Sequence, residues 1–295
     1  MQSFLTKVQS GSILVSDGAW GTFLHQKGLQ PGECPELWND THPDDVLDIA
    51  KSYIEAGAEM VETNSFGANS FKLAYFGLSG RTAELNEKAA RISRQAAGND
   101  HYVLGSIGPT GKMLIMGDVT EDEWFEAFRV QAKALANGGS DAIIVETMSA
   151  LDEATIAIRT AKENTQLPVI CTMTFEKTVN NDYRSMMGVS PEEALPILIE
   201  AGADMVGANC GNGMEHMIDI VKAMRHVNQE IPILVHANAG APQIVDGQTV
   251  FPEKPSDTAK WVHSFIKAGG NIIGGCCGTT PDHIRAIREE VEKLG

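Results

Sequence analysis

The sequence predicts a single (β/α)8 TIM barrel that spans residues 1–295. The length is normal for one such barrel. A short sequence pattern also recurs, in which a helix ends at Ala-Gly or Gly-Gly and a short apolar strand follows. Glycine just past the last turn is typical of a helix C-terminus, and continuous apolar strands are typical of a parallel sheet covered on both faces. The third observation is that, once the gaps between these repeats are filled, the chain holds eight strand–helix units.

The recurring sequence pattern begins at Ala56, Gly138, Ala201 and Ala268. Filling the gaps gives eight strands, which we expect near 12–16, 59–63, 102–107, 141–146, 168–174, 204–209, 231–237 and 271–275. A helix should follow each strand, near 43–56, 83–97, 121–137, 151–164, 191–201, 214–227, 256–268 and 281–293. A doubly wound open sheet is the alternative. It requires no eightfold count, and no G-x-G-x-x-G motif follows the first strand.

Two helix starts carry clear capping signals. Thr120 followed by Glu123 matches a capping box, in which each side chain accepts a hydrogen bond from the other residue's backbone. Ser190 offers a cap side chain, and Pro191 suits the first helical turn. The longest connections are expected at 26–40, 66–81, 108–117 and 243–255.

The overall charge narrows the range of partners. The chain holds 39 acidic and 23 basic residues, a formal net charge of -16. Nucleic acids and anionic membranes are bound by clustered Lys and Arg, so we predict neither as a partner. The five cysteines are an odd number, and the first residues lack a long apolar core. These features predict a reducing, cytoplasmic location and no membrane span.

Three cysteines stand at two strand ends. Cys276 and Cys277 lie between glycines directly after the eighth strand, and Cys210 follows the sixth. Glycine permits the sharp turn that brings adjacent side chains toward one centre. Three thiolates would fill three corners of a tetrahedral zinc site and leave the fourth open for a substrate. The alternative is that the cysteines are packed as small apolar residues. Cys34 and Cys171 have no partner at metal spacing and are interpreted as non-ligands.

Polar residues close the first, second and fourth strands. Asp17, Gly18 and Ala19 end the first strand. Backbone N–H groups beside a carboxylate suit a zwitterionic amino acid, and an ordinary turn is the alternative. Glu62 and Glu146 close the second and fourth strands. A buried acid needs a partner, either a substrate ammonium group or an internal hydrogen-bond network.

The third and seventh strands end at the same face of the predicted barrel. Ser106 lies in a glycine-rich strand end that permits close backbone approach, and Asn64 follows the second strand. His236 and Asn238 end the seventh strand, beside both cysteine strands. There they would support the metal ligands or act as a transient fourth ligand. A buried core histidine is the alternative for His236.

These motifs together resemble those of the zinc-dependent homocysteine S-methyltransferases. The matching segments keep the family's order and lie at 17–22, 62–64, 105–109, 146–148, 209–210 and 274–278. Within the family, the chain is most similar to the homocysteine-binding barrel of cobalamin-dependent methionine synthase, because of segments 237–240 and 278–281. Betaine–homocysteine and S-methylmethionine–homocysteine methyltransferases share the three cysteines.

The resemblance implies a role for each motif. The three cysteines would hold Zn²⁺ as catalytic ligands, with the homocysteine thiol in the open position. Asp17 and Glu146 would bind the amino-acid end of homocysteine, and backbone amides near Ala19 would take its carboxylate. Asn238 matches a position that can sit near the metal when substrate is absent. The implied substrate-binding residues are Asp17, Gly18, Ala19, Asn64, Ser106, Glu146 and Asn238.

The predicted reaction is transfer of a methyl group to homocysteine, which gives methionine. A free thiol has a pKa of about 8.5, so only a few per cent is thiolate at neutral pH, whereas a zinc-coordinated thiol is deprotonated outright. The sulfur would then attack an electrophilic methyl carbon in line, without a general base.

The resemblance leaves the methyl donor open. A complete methionine synthase carries further modules, and the corrinoid-binding motif Asp-x-His-x-x-Gly is absent from this sequence. We therefore expect either an enzyme served by a separate corrinoid protein that carries methylcobalamin, or one segment of a longer enzyme. The alternative donors are betaine, S-methylmethionine, or a methoxy or methylamine compound with a corrinoid protein. A zinc-storing barrel without catalysis is a further alternative.

Overall fold

The computed structural model describes residues 2–245 and 248–294 and contains eight parallel strands around one axis. They are β1 (Leu14–Val15), β2 (Met60–Glu62), β3 (Tyr102–Ile107), β4 (Ala142–Met148), β5 (Val169–Met173), β6 (Met205–Gly213), β7 (Ile233–Asn238) and β8 (Ile272–Gly275). From β2 to β8 each strand pairs with the next along the chain, and β8 pairs with β1. The predicted (β/α)8 barrel is therefore confirmed.

The barrel is nearly closed between β1 and β2. The backbone N–H of Glu59 donates to the carbonyl oxygen of Val15 at 2.8 Å. The Glu59 carboxylate in turn accepts a 3.1 Å hydrogen bond from the N–H of Val15. These two bonds hold the first two strands together where no continuous ladder joins them.

Eight helices follow the strands in turn. They are α1 (Pro43–Glu55), α2 (Thr82–Ala97), α3 (Glu121–Gly138), α4 (Leu151–Asn164), α5 (Pro191–Glu200), α6 (Met214–Val227), α7 (Val262–Ala268) and α8 (Pro281–Glu292). Short helices also occur at Phe4–Gln9, Gly21–Lys27, Trp38–Thr41, Ser70–Ala74 and Pro255–Ala259, with 3-10 turns at Pro35–Leu37, Ser79–Arg81 and Leu114–Met116.

The helix predicted at 256–268 is interrupted. The N–H of Trp261 donates to the carbonyl of Thr258, three residues back, which tightens the backbone between Pro255–Ala259 and α7. Both predicted caps are present. Thr120 and Glu123 exchange side-chain and backbone hydrogen bonds at the start of α3, and Ser190 caps α5 in the same way.

Buried side chains fill the interior of the barrel. One from each strand belongs to this layer: Leu14, Met60, Leu104, Ile144, Ile170, Met205, Leu234 and Ile272. Phe4, from the N-terminal helix, packs edge-on against Tyr102 with ring centroids 5.2 Å apart. The lower end of the barrel is thus filled, and the active sites of such barrels lie at the other end.

The longer connections lie at the carboxyl ends of the strands, as predicted for 26–40, 66–81 and 108–117. In the predicted connection 243–255, the strand Gln243–Val245 pairs with Gln248–Val250, and residues 246 and 247 lie outside the described part of the chain. A second hairpin, Glu176–Lys177 with Tyr183–Arg184, was not predicted. Among the described helices, none is both long enough and apolar enough to span a bilayer.

Candidate functional site

Three cysteine side chains meet at the carboxyl ends of β6 and β8. The Sγ atoms of Cys210, Cys276 and Cys277 all lie within 4.8 Å of one another. Cys210 lies within the last four residues of β6, by which that strand extends beyond its predicted end, and the other two cysteines follow β8 directly. The N–H of Cys276 donates to the carbonyl of Ala237 at 2.7 Å, which fixes the turn after β8 against β7. The structure therefore brings the predicted cysteine triad together.

The three thiols are free and half-buried. Hydrogen bonds from the Cys276 and Cys277 thiols lower the pKa of Cys210 to about 3. The same contact with Cys210 raises the pKa of Cys276 well above its ordinary value and that of Cys277 to about 12. Three sulfurs at this spacing match the donor set of a Cys₃ zinc site, in which the metal replaces the thiol protons.

A cavity of about 280 Å³ opens beside the sulfurs. The three cysteines line one part of it, and Glu62, Ser106 and Glu146 line another. Asn64, Gly18 and Ala19 also belong to its wall, with Phe66 partly exposed at its edge. A single space is therefore lined by both thiols and buried carboxyl groups.

Glu146 lies in this cavity and is nearly fully buried. It accepts hydrogen bonds from the hydroxyl of Ser106 and, at 3.4 Å, from Nδ2 of Asn209. Burial raises the pKa of Glu146 well above its ordinary value, and the nearby charge of Glu62 raises it further. A cation in the cavity would offset this cost, because an opposite charge favours the ionised carboxylate.

Asp17 lies beneath the cavity rather than in its wall. Its side chain is fully buried and accepts hydrogen bonds from Nε1 of Trp20 at 2.9 Å and from the N–H of Glu62 at 2.8 Å. Burial raises the pKa of Asp17. Glu62 faces the cavity instead, and burial and the Asp17 charge raise its pKa well above the ordinary value.

His236 joins this acidic group. Its Nδ1 lies 3.3 Å from Oε1 of Glu62, and the ligand atoms of Asp17, Glu62 and His236 lie within 4.8 Å of one another. Neither Oε1 of Glu62 nor Nε2 of His236 has a hydrogen-bond partner among the described residues. Burial lowers the pKa of His236. The sequence placed these residues at strand ends but did not predict that they form one buried cluster.

The loop after β1 is held tightly by the segment after β8. A Cβ at Gly18 would lie 2.8 Å from Oγ1 of Thr279 and from a ring carbon of Tyr53. The N–H of Ala19 donates to Oγ1 of Thr279 at 3.1 Å, and its carbonyl accepts from the Tyr53 hydroxyl at 2.7 Å. One of the backbone amides in the region expected to take a substrate carboxylate is thus already bonded within the protein.

Two further predicted residues have different surroundings. Asn64 donates from Nδ2 to the carbonyl of Pro35 at 2.8 Å, which holds the connection that contains Pro35. Asn64 also lines the cavity. Asn238 is buried, has side-chain contact with Cys210, and keeps an Oδ1 without a partner among the described residues.

The two remaining cysteines belong to neither cluster. Cys34 is buried and donates its thiol hydrogen to Glu36 at 3.4 Å, and burial raises its pKa to about 12. Cys171 is fully buried inside β5, where burial raises its pKa. Neither thiol is placed to contribute to the cysteine triad.

The sequence matches a family model over residues 14–291, and that model describes homocysteine S-methyltransferases. The chain belongs to the homocysteine S-methyltransferase family. Methionine synthase from Mycobacterium tuberculosis is 33% identical over 310 residues, which cover 98% of this chain and 25% of that protein. Methionine synthase from Mycobacterium leprae is 33% identical over 301 residues, which cover 95% of this chain and 24% of that protein. The chain thus spans about a quarter of the length of these relatives.

Solved structures with this fold include the homocysteine methyltransferase MmuM from Escherichia coli. Its oxidized form matches with a TM-score of 0.76 and 22% identity, covering 94% of this chain and 95% of that one. Its metallated form matches with a TM-score of 0.76 and 21% identity, covering 94% and 96%. At these identities the likeness shows the fold, and the family rests on the sequence match.

Proposed function

We propose that this chain transfers a methyl group to the thiol of homocysteine at a Zn²⁺ ion held by Cys210, Cys276 and Cys277. The observation that carries the proposal is the convergence of three free thiols at a cavity that also contains buried carboxylates. Three protein ligands leave one tetrahedral position for a substrate atom, as in catalytic zinc sites. When bound, Zn²⁺ supplies the Lewis acidity that keeps a coordinated thiol ionised at neutral pH.

The carboxylates in the cavity account for recognition of an amino acid. Glu146 and Glu62 both line the space, and burial disfavours their charged forms. An ammonium group between them would restore a favourable charge balance. Ser106 holds Glu146 in place by its hydroxyl hydrogen bond. Asp17 fixes the backbone of Glu62 and would act on the substrate through it.

The position of the three cysteine sulfurs relative to the carboxylates supports methyl transfer. A zinc ion held by the cysteines at the ends of β6 and β8 would fix the substrate sulfur at one end of the cavity, and the carboxylates that line the cavity would fix the amino-acid end. Orientation of this kind can contribute several kcal/mol, up to about 7–11, to lowering a barrier. Free thiols side by side need a reducing environment, so we also propose a cytoplasmic location.

We propose methylcobalamin on a corrinoid protein or module as the donor. Exposed apolar side chains collect on the connections after β2, β3 and β5, at the open end of the barrel: Phe66, Tyr75, Phe76, Met113, Ile115, Met116, Val179, Met186 and Met187. Exposed apolar surface of this kind marks interaction sites. The methionine synthases that resemble this chain are about four times its length, which leaves room in those proteins for further modules.

One experiment separates the donors. The zinc-loaded chain is given homocysteine with methylcobalamin, betaine, S-methylmethionine, or methyl-folate plus a corrinoid protein, one at a time, and methionine is measured. We expect methionine with methylcobalamin. Methionine from betaine or S-methylmethionine alone would identify a different donor. No methionine with any donor from a chain that binds zinc would favour a storage role.

A further inference from the structure

Two residues next to the site have an unusual backbone. Thr147 has a φ of +60° and Cys210 a φ of +61°. Residues other than glycine rarely adopt this left-handed region, and a β-branched residue such as threonine is a clear outlier there. Each lies in a strand irregularity. The register of β4 against β5 shifts between Val145 and Met148, and that of β6 against β7 shifts between Asn209 and Gly213.

One side chain connects the two irregular strand ends. Oδ1 of Asn209 accepts hydrogen bonds from the N–H of Thr147 and from the hydroxyl of Thr172, both at 2.8 Å. Its Nδ2 donates to Oγ1 of Thr147 at 2.7 Å and to Oε2 of Glu146 at 3.4 Å. The residue is 1% exposed. All four hydrogen-bonding positions of the amide are therefore used inside the protein.

Strained backbone of this kind persists only where surrounding contacts determine it, and it clusters at functional sites. The contacts of Asn209 determine the backbone next to both strained residues, Thr147 and Cys210. Its side-chain amide forms hydrogen bonds with Thr147 and Glu146, and Asn209 directly precedes Cys210 in the chain. Its carbonyl also accepts a 3.0 Å hydrogen bond from the Thr174 hydroxyl, which fixes the backbone just before Cys210.

We infer that Asn209 is a positioning residue that sets the placement of the Cys210 ligand relative to the Glu146 carboxylate. This inference rests on the proposed function, in which Cys210 holds the metal and Glu146 the substrate ammonium group. The fixed separation would set the distance between the metal-bound sulfur and the carboxylate that holds the amino group. Asparagine suits the position because its short side chain both donates and accepts.

Asn271 provides a matched control at the opposite end of the barrel. It also joins neighbouring strands, because its Oδ1 accepts from the N–H of Ile233 at 2.9 Å and from Arg225 at 2.8 Å. It lies just before β8, away from the cysteines. Replacing it with alanine removes a comparable strand-to-strand link without altering the strand ends that form the site.

The test measures zinc affinity by chelator competition and homocysteine affinity by calorimetry on zinc-loaded protein. In Asn209→Ala we expect both affinities to fall about 10–100-fold, the usual effect of removing a residue that orients a metal ligand. Asn209→Asp keeps the acceptor to Thr147 but loses the donor and adds a charge beside Glu146. It should weaken homocysteine binding more than zinc binding. Asn271→Ala should leave both affinities within about twofold of the wild type.

A second replacement tests the role of the strained backbone. Glycine adopts a φ near +60° without cost, so Thr147→Gly added to Asn209→Ala should recover part of the lost homocysteine affinity. A role for Asn209 exerted only through its contact with Glu146 predicts no such recovery. If the wild type binds neither zinc nor homocysteine, the proposed function fails. If the wild type binds both, and folded Asn209→Ala or Asn209→Asp binds homocysteine as tightly, this inference is overturned.

Discussion

The backbone N–H of Glu62 donates a 2.8 Å hydrogen bond to the buried carboxylate of Asp17. This bond ties the carboxyl end of β1 to that of β2, two strands that form no ladder with each other in the described part of the chain. The same carboxylate oxygen accepts from the Trp20 indole at 2.9 Å. The position expected to contact an amino-acid substrate is thus occupied by hydrogen bonds within the protein.

Replacing Asp17 with alanine should lower the stability of the fold. The Glu62 N–H and the Trp20 indole N–H would remain buried without an acceptor, and such a loss costs about 1–3 kcal/mol per group. Urea denaturation of the zinc-free protein measures the change. A variant with unchanged stability but much weaker homocysteine binding would instead favour direct contact between Asp17 and the substrate.

Replacing Glu146 with glutamine should stabilise the substrate-free protein in a pH-dependent way. The folded-state pKa of Glu146 lies well above its ordinary value of 4.5, mainly because of burial. The wild type therefore loses stability as pH rises from about 4.5 toward the folded pKa, by about 1.4 kcal/mol for each unit of difference. Glutamine has no such loss, so its advantage should grow with pH over that range.

Unfolding measured at several pH values between 5 and 8 checks this prediction, with homocysteine binding followed in parallel. Binding should weaken in the glutamine variant, because the ammonium group loses a charged partner. A stability difference that stays constant with pH would contradict the raised pKa of Glu146.

Replacing Cys276 with alanine should abolish both zinc binding and methyl transfer. The metal would keep only two sulfur ligands in this cluster, which is insufficient for a stable three-ligand site. Cys34→Ala is the matched control, because that buried thiol donates to Glu36 and lies outside the triad. Metal analysis of purified protein should give one zinc per chain for the control and none for Cys276→Ala. Full zinc content and full rate in Cys276→Ala would refute the site assignment.

Mixing homocysteine with the zinc-loaded chain at pH 7 should release at least one proton per molecule bound, because its thiol is mostly protonated in water and the buried carboxyl groups would ionise beside the substrate ammonium group. A pH-indicator dye in weak buffer measures the release. Cys276→Ala should give no signal. Tight binding of homocysteine to the wild type without proton release would argue against ionisation of the thiol at the metal.

Replacing Gly18 with alanine should destabilise the loop after β1. The new Cβ would lie 2.8 Å from both Thr279 and Tyr53, and overpacking of this kind costs about 1–3 kcal/mol. Gly21→Ala is the control, because a Cβ there meets nothing within 4 Å. Thermal melting should show a lowered midpoint for Gly18→Ala alone. Equal midpoints for the two variants would contradict the close packing at Gly18.

Several features of the site depend on tertiary contacts that no local pattern encodes. The sequence gives no reason to expect the left-handed backbone of Thr147, because the branched side chain of threonine disfavours positive φ values. Asn209 was recognisable as part of a motif, but its four side-chain hydrogen bonds join it to residues of β4 and β5. Likewise, nothing near Trp261 predicted the interruption before α7.

The sequence by itself determined the barrel and the three-cysteine cluster. Apolar strands, glycines at helix ends and helix caps are local signals, and a barrel of parallel strands places every strand's carboxyl end on one face. Residues at those ends, such as Cys210 and Cys276, therefore had to come close. Only the tertiary structure decided which acid faces the cavity. Glu62 lines it and Asp17 lies beneath it, because the direction of each side chain depends on the register and twist of neighbouring strands.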